Sequence, residues 1–322
     1  APARALPLVV LREELARVTG LGDALCGVQA LVAIAIAGAA TDAVRRRLLP
    51  ALAAGTDAGA FALTEPGAGS DLGALATTAR REGGGYRLDG EKTLISNAGL
   101  AALYVVFART GGAGDRRPLS AFMVPAQAPG LSTLPLAVAV DHPVGAVRLD
   151  GVRVDEASRL GEEGDGMRIA LATLSLVRPT VGAAGCGLAR RALDEATAFA
   201  RGRRTFGRPL AERDSVRMAL AEMATSLEAA RLMVYRAAWQ HDRAVATGAD
   251  TRGNAAASSM AKLFASEAAQ EIVDRAVQIH GGQGVMRGVP VERLYREVRA
   301  LRIYEGTSEI QKLIIAAELL GR

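Results

Sequence analysis

The run SVRMALAEMATSLEAARLMVYRAAWQ, residues 215–240, constrains the fold most. Val216, Leu220, Met223, Leu227, Ala230 and Val234 recur at alternating four- and three-residue steps. On a helix these positions form one apolar stripe, which has to be buried against other helices. The segment therefore predicts a long member of a helical bundle, with the stripe as core rather than as a ligand box. Helical texture runs from Gly161 onward in long pieces. It also fills residues 1–58, through LREELARV, an Ala-rich stretch, and DAVRRRLLPALAAG punctuated by Pro50 and Gly55. Ala-rich composition with few aromatics suits closely packed helices.

Residues 59–158 read differently. Short runs (GAFALTEP, ATTARRE, YRLDGEKTLIS, LYVVFART, LSAFMVP, AVRLDGVRV) are separated by Gly, Asp or Pro. That pattern predicts a compact antiparallel β domain. The chain is thus organised as α (1–58), β (59–158) and α (159–322), with function expected where domains meet.

Several classes are set aside. The net charge is +5, but basic residues are dispersed among acids, with no basic run interleaved with aromatics. An anionic small molecule suits this better than nucleic acid. Cys26 and Cys186 lie far apart, and His142, His241 and His280 have no metal-ligand spacing. A reducing, cytoplasmic setting without metal or disulfide framework is expected. The opening APARALPLVV lacks a signal-peptide layout, and LCGVQALVAIAIAGAA is short for a membrane span, so a buried helix is expected there. A G-x-G-x-x-G in a βαβ context is missing, which disfavours a nicotinamide dehydrogenase.

Five stretches could carry chemistry. TEPGAGSD, Thr64 to Asp71, is a Gly-rich loop without the ending of a P-loop, able to hold a polar ring or a phosphate, or simply to connect. GEKTLISNAG ends a strand at Ser96 and Asn97. RRTFGRPL, residues 203–210, could grip pyrophosphate or be a solvated helix end. QIHGGQGVMRG breaks a helix with glycines, either as a C-cap or to let backbone approach a ligand. Finally, IYEGTSEIQKLII places Glu305 on a turn before a helix, which Ser308 and Gln311 are expected to open as a capping box. On its own this stretch is explained by an exposed acid complementing the helix dipole.

In order and at these intervals, LTEPGAGSD, LDGEKTLISNAG, RRTFGRPL, AVQIHGGQGVMRGVPVERLYRE and IYEGTSEIQKLIIA resemble the acyl-CoA dehydrogenase family. The resemblance implies a mostly α fold with a central antiparallel β domain and a C-terminal four-helix bundle. It implies FAD, lipid metabolism, a dimer-of-dimers homotetramer and electron-transferring flavoprotein as acceptor. Glu305 would take the α-proton of an acyl-CoA thioester while the β-hydride passes to flavin N5. Phe61, Leu63, Thr64, Leu94 and Ser96 would line the flavin. Arg203, Thr205, Phe206, Gln278, Gly281 and Gly282 would hold the adenine and pyrophosphate half of an FAD bound mainly by a neighbouring subunit, and Thr307 and Glu309 the near half. Ser70, Arg178, Tyr304 and Gly306 would face substrate. Arg178 has a structural ion pair as its other reading.

Some positions depart from the family pattern. Leu94 stands where a tryptophan is usual, so oxidase behaviour is an alternative. An acyl-carrier-protein thioester as substrate is another. Asp214 replaces a usual glutamine, and AVAVDHPVGAVRLDGVRV is short. Val177 occupies the second position used for the base in some members and cannot act as one. The N-terminal α domain looks partial, short of two or three helices, which is expected to leave an apolar patch unless another chain covers it. A subunit of a hetero-oligomer is the non-catalytic alternative.

Overall fold

The computed structural model describes residues 3–112, 114–249 and 254–321. Residues 1, 2, 113, 250–253 and 322, which fall within the three expected segments, lie outside the described residues. In chain order the elements are α1 (Leu6–Val18), α2 (Gly20–Ala39) and α3 (Asp42–Ala54), then β1 (Gly59–Ala62), β2 (Thr78–Glu82), β3 (Gly85–Ser96), β4 (Leu103–Arg109), β5 (Leu119–Pro125), β6 (Leu131–Pro135), β7 (Val144–Asp155) and β8 (Arg159–Leu160). Next come α4 (Gly166–Gly202), a small hairpin of β9 (Arg204–Thr205) and β10 (Arg208–Pro209), α5 (Asp214–Thr247), α6 (Ala255–His280), α7 (Pro290–Arg299) and α8 (Ser308–Leu319). Pro50 does not end α3 but lies inside it; Gly55, left-handed at φ 71°, caps the helix. The chain divides into two compact units, one of Leu25–Leu174 and one of Arg4–Ala24 with Ser175–Arg322.

The first unit is built on a sheet ordered β6-β7-β3-β2-β4-β5-β8, with β1 beside β4. It is mixed rather than wholly antiparallel, because β1 runs parallel to β4 from Gly59↔Leu103 to Ala62↔Val106, and β2 meets β4 in parallel at Thr78↔Arg109. Short alternating runs reveal strands but not their direction, so the sequence pattern could not distinguish the two. Alternate residues of β4 feed two cores. Val105 and Phe107 pack with Val32, Ala35 and Ile36 of α2, whereas Tyr104, Val106 and Ala108 pack with Tyr86, Leu88 and Val147. By length and composition, Gly20–Ala39 and Gly166–Gly202 are apolar enough to cross a membrane, and each contributes buried residues to the protein's cores.

The second unit is the helical bundle. In α5, Met223, Leu227, Ala230 and Val234 of the stripe are buried, with Leu220 packed at its edge. Small residues let the helices approach closely. Gly182 of α4 lies against Val234, Gly185 against Ala265 and Ala269, and Gly187 against the backbone of Glu13 in α1. A methyl group at Gly187 would overlap the Glu13 carbonyl oxygen, and backbone cannot step aside cheaply. Gly187→Ala is expected to destabilise this unit by about 1–3 kcal/mol. Chemical denaturation should show a lower midpoint with an unchanged slope.

Candidate active site

The bundle unit holds one carboxylate in an unusual setting. After α7, a short 3-10 turn at Ala300–Arg302 leads into residues 303–307 and then α8. Glu305 and Gly306 both adopt positive φ, 54° and 94°. For a glutamate this backbone is strained and persists only if its surroundings enforce it. They do so at the next carbonyl. The Gly306 oxygen accepts hydrogen bonds from the buried Nζ of Lys262 at 2.7 Å and from Nε2 of Gln311 at 2.8 Å. At φ 94° position 306 favours glycine, and a Cβ there would also lie 2.5 Å from that Gln311 nitrogen. The N-cap of α8 is Thr307, not Ser308. The Thr307 hydroxyl accepts from the Ile310 amide, while the Ser308 hydroxyl donates to Glu267 on α6 at 2.6 Å.

Glu305 itself is half-buried, and its Oε2 is closed off without a hydrogen-bond partner among the described residues. Burial pushes this carboxyl above the ordinary carboxylate range. Arg12, Lys262 and Arg178 pull the other way, and Asp23 adds to the rise. Desolvation wins over three nearby cations. These neighbours are themselves buried. Arg12 grips both oxygens of Asp23 at 2.8 and 2.9 Å, and its third nitrogen donates to Thr180 at 2.9 Å. Burial opposes the charge on Arg12, but Asp23 outweighs it and keeps the guanidinium firmly protonated. Burial lowers Lys262 to about 8, against the pull of Glu305. Arg178 is 6% exposed; burial lowers it too, and its Nε has no partner. It makes no ion pair within 4 Å among the described residues, and the Glu305 carboxylate acts on it at longer range. Burial raises the Tyr304 phenol, opposed by Arg12. The adjacent Val177 is fully buried and apolar.

The sheet unit holds the other expected residues. Phe61 tilts against Phe107 with ring centroids 4.9 Å apart. The Leu63 carbonyl accepts from Lys92 at 3.1 Å, and the Thr64 carbonyl from the Thr93 amide at 2.9 Å. The buried Lys92–Glu65 pair, 2.7 Å, anchors this loop to β3. Burial works against the charged form of both members. It draws Lys92 down to about 8, whereas hydrogen bonds from Lys92, Thr77 and Ala76 hold Glu65 below its usual value. Beyond Lys92 the pairing of β3 with β7 shifts register, and Leu94 is thrown outward at φ 55° and 60% exposed. Ser96 shares a 2.7 Å hydrogen bond with Nε2 of His142, and Ser70 is exposed.

Back in the bundle unit, Arg203 and Gln278 are exposed, and Thr205 pairs with Arg208 in the hairpin. Phe206, 97% exposed at φ 49°, has the Arg213 guanidinium 5.3 Å from its ring centre. Gly281 adopts φ 58° and ψ −139°, which is open only to glycine, and nothing lies within 4 Å of where a Cβ would sit on Gly281 or Gly282. Glu309 is exposed, and its own amide and the Thr307 hydroxyl keep it below the usual carboxylate value. Asp214 opens α5 and pairs with Arg217 at 3.1 Å. Three of the four non-glycine residues with positive φ (Leu94, Phe206 and Glu305) are thus candidate site residues, and the fourth, Asn97, adjoins Ser96.

Lys262, Arg12 and Asp23 do not stand out in the sequence. Lys262 left one trace: Ser258, Ala261, Ala265 and Ala269 place it on the buried face of α6. Among the described residues no cluster of His, Cys, Asp or Glu could hold a metal ion.

The mixed β unit thus carries strained Leu94 and Asn97 flanking the end of β3, and the bundle carries Glu305 on its strained turn. Residues 60–152 match the model for the acyl-CoA dehydrogenase middle domain, and residues 164–320 that for the acyl-CoA dehydrogenase C-terminal domain. The chain is 43% identical to an acyl-CoA dehydrogenase of Bacillus subtilis over 281 residues, covering 86% of this chain and 72% of that protein. It is 38% identical to the caffeyl-CoA reductase-Etf complex subunit CarC of Acetobacterium woodii, covering 98% of this chain and 82% of that one. The structure of butyryl-CoA dehydrogenase from Megasphaera elsdenii superposes with a TM-score of 0.92 at 33% identity, over 97% of this chain and 81% of that one. The chain belongs to the acyl-CoA dehydrogenase family, and it is an FAD-dependent oxidoreductase acting on CH–CH groups.

The residues present fit that cofactor. Within the bundle unit, a glycine-only backbone at Gly281, a solvent-facing aromatic at Phe206 and the Arg203 guanidinium are an open approach, a face and a donor suited to a dinucleotide. The buried pair beside Glu305 gives a stability test. Arg12→Met leaves Asp23 buried and unpaired and should cost about 3–5 kcal/mol. Replacing both, with Asp23→Leu added, should recover most of the loss in a denaturant titration.

Proposed function

We propose that the protein removes the α-proton and a β-hydride from an acyl-CoA thioester, with Glu305 as the base. The observation that carries this is the shielded, unpartnered Oε2 of Glu305 on a strained turn. A C–H next to a thioester is a weak acid, so its base must be held out of water and its pKa raised. Burial supplies the rise, and the cations Arg12, Lys262 and Arg178 oppose it by favouring the ionised form. Bound FAD supplies a two-electron acceptor for the β-hydride.

Arg178, buried with an uncommitted Nε, is assigned to the substrate side. The CoA tail is supported by a cavity of about 520 Å³ in the sheet unit, lined in part by Arg116, Arg117 and Arg168. Asp165 engages Arg117 and Arg168, and Arg116 makes no ion pair among the described residues. Three cations against one anion suit phosphates. An acyl-carrier-protein thioester brings fewer phosphates and suits the cavity less. Phe206, Gln278 and Gly281 are solvent-facing within one chain, which supports their serving the adenine half of FAD in a dimer of dimers. Electron-transferring flavoprotein is the proposed acceptor, supported by the Etf association in the CarC relative's name. A cytoplasmic location agrees with two cysteines that form no disulfide. Exposed Leu94 favours oxygen access as a second reading, which oxygen uptake during turnover would reveal.

The purified protein should be yellow and should bleach on anaerobic addition of an acyl-CoA from a chain-length panel. Glu305→Gln should bind the same thioester, keep its colour and lose about 1,000-fold in turnover. Bleaching of the variant at the wild-type rate would remove Glu305 from the base role. Stability supplies an independent check. The folded state holds Glu305 above its unfolded pKa, so it binds that proton more tightly than the unfolded chain. The associated stability is full below the unfolded value and is lost as pH rises through the folded one. Glu305→Gln should therefore melt higher than wild type at neutral pH, with the difference shrinking as pH falls below the carboxylate range.

A further inference from the structure

We propose that Lys262 is a positioning residue for the base: its ammonium fixes the left-handed Glu305–Gly306 turn through the Gly306 carbonyl and supplies a cation beside the carboxylate. This rests on Glu305 being the base and goes beyond it by naming what holds and tunes it.

The geometry is specific. Lys262 is fully buried on α6, a costly place for an ammonium without a counter-ion. No carboxylate lies within ion-pair distance of it among the described residues; its hydrogen bond goes to the Gly306 oxygen. The neighbouring acid on α6, Glu267, is taken by Ser308 at 2.6 Å and Arg302 at 2.7 Å, one on each oxygen. The groups acting on Lys262 are Glu305 on the turn, Arg178 on α4, Glu267 on α6 and Glu309 on α8. Arg12 and Asp23 act on Glu305 from α1 and α2. Within that set Glu305 is the strongest favourable charge for Lys262. A lysine kept only for packing would gain nothing from facing the shielded carboxylate, and an uncharged residue of similar length would avoid its desolvation cost.

The two effects separate chemically. Gly306 is held by Lys262 and Gln311 together, so a donor at 262 keeps the turn in place. The positive charge, independently, favours the ionised form of Glu305. Lys262→Gln keeps a donor and removes the charge, whereas Lys262→Met removes both.

The test uses FAD-loaded protein and an acyl-CoA with sulfur in place of the β-carbon, which can lose an α-proton but has no β-hydrogen to transfer. Exchange of that α-proton with D2O, followed by mass spectrometry across pH, reads proton abstraction alone. Both variants should move the acid limb of the profile to higher pH, because removing a cation makes Glu305 harder to ionise. Lys262→Met should also slow the plateau rate by about 100-fold, the scale of a 1 Å misplacement, and Lys262→Gln should slow it less. An acid limb unmoved in Lys262→Gln overturns the proposal, whether or not the rate falls, since a merely structural lysine would give that result. Should Lys262→Met fail to retain FAD, the acid limb of Lys262→Gln decides alone. Glu305→Gln run in parallel separates the two claims. If it exchanges like wild type, the base assignment itself fails. If it is silent while both Lys262 variants match wild type, only the role of Lys262 fails.

Discussion

A single carboxylate kept out of water on a backbone that glutamate avoids is the constraint around which the bundle unit is arranged. Leaving Glu305 shielded and Oε2 unpartnered costs free energy, as does φ 54°. Both costs are sustained by fixed groups on other elements. Lys262 and Gln311 hold the Gly306 carbonyl, Glu267 holds Ser308 and Arg302, and Thr307 caps α8. The rest of the bundle makes these contacts possible. Alanine and glycine at the helix contacts bring α1, α4, α5 and α6 close enough for short side chains to fill the core, leaving Arg12, Asp23 and Lys262 sealed within it.

The sheet unit uses the same economy of strain in a different way. A register shift in β3 exposes Leu94, and the following residues turn Ser96 toward His142 and Asn97 toward the Gly59 carbonyl. The buried Lys92–Glu65 pair ties the Gly-rich loop to that strand. Replacing the pair by apolar residues could be neutral for stability, yet its hydrogen bonds to Leu63, Ala76 and Thr77 give the loop one geometry. Strained residues here and in the bundle fall at positions singled out on chemical grounds, which is the distribution expected of functional strain.

Much of this was legible in the sequence, and the exceptions share a cause. The stripe of α5, the strand segments and the glycine break after His280 depend on local periodicity and turn chemistry, and they stand where expected. Strand direction depends on which segments meet, so the parallel β1–β4 pairing was not foreseeable from alternation. Pro50 reads as a breaker, yet it lies within α3. Ser308 and Thr307 are both good caps, and only the contact with Glu267 decides between them. Glu305 reads locally as an exposed acid at a helix start. Its electrostatic setting depends on Arg12, Lys262 and Arg178, which are remote in sequence and carry no mutual spacing that a motif could capture.

The central claim is that the Glu305 carboxylate faces the carbon whose proton is removed. A crystal structure of the FAD-loaded protein with an unreactive acyl-CoA bound tests it most directly. The account predicts a Glu305 oxygen against the α-carbon, with the Gly306 carbonyl still held by Lys262 and Gln311. A bound thioester whose α-carbon lies away from Glu305, or a turn that swings its carboxylate into solvent, would contradict it.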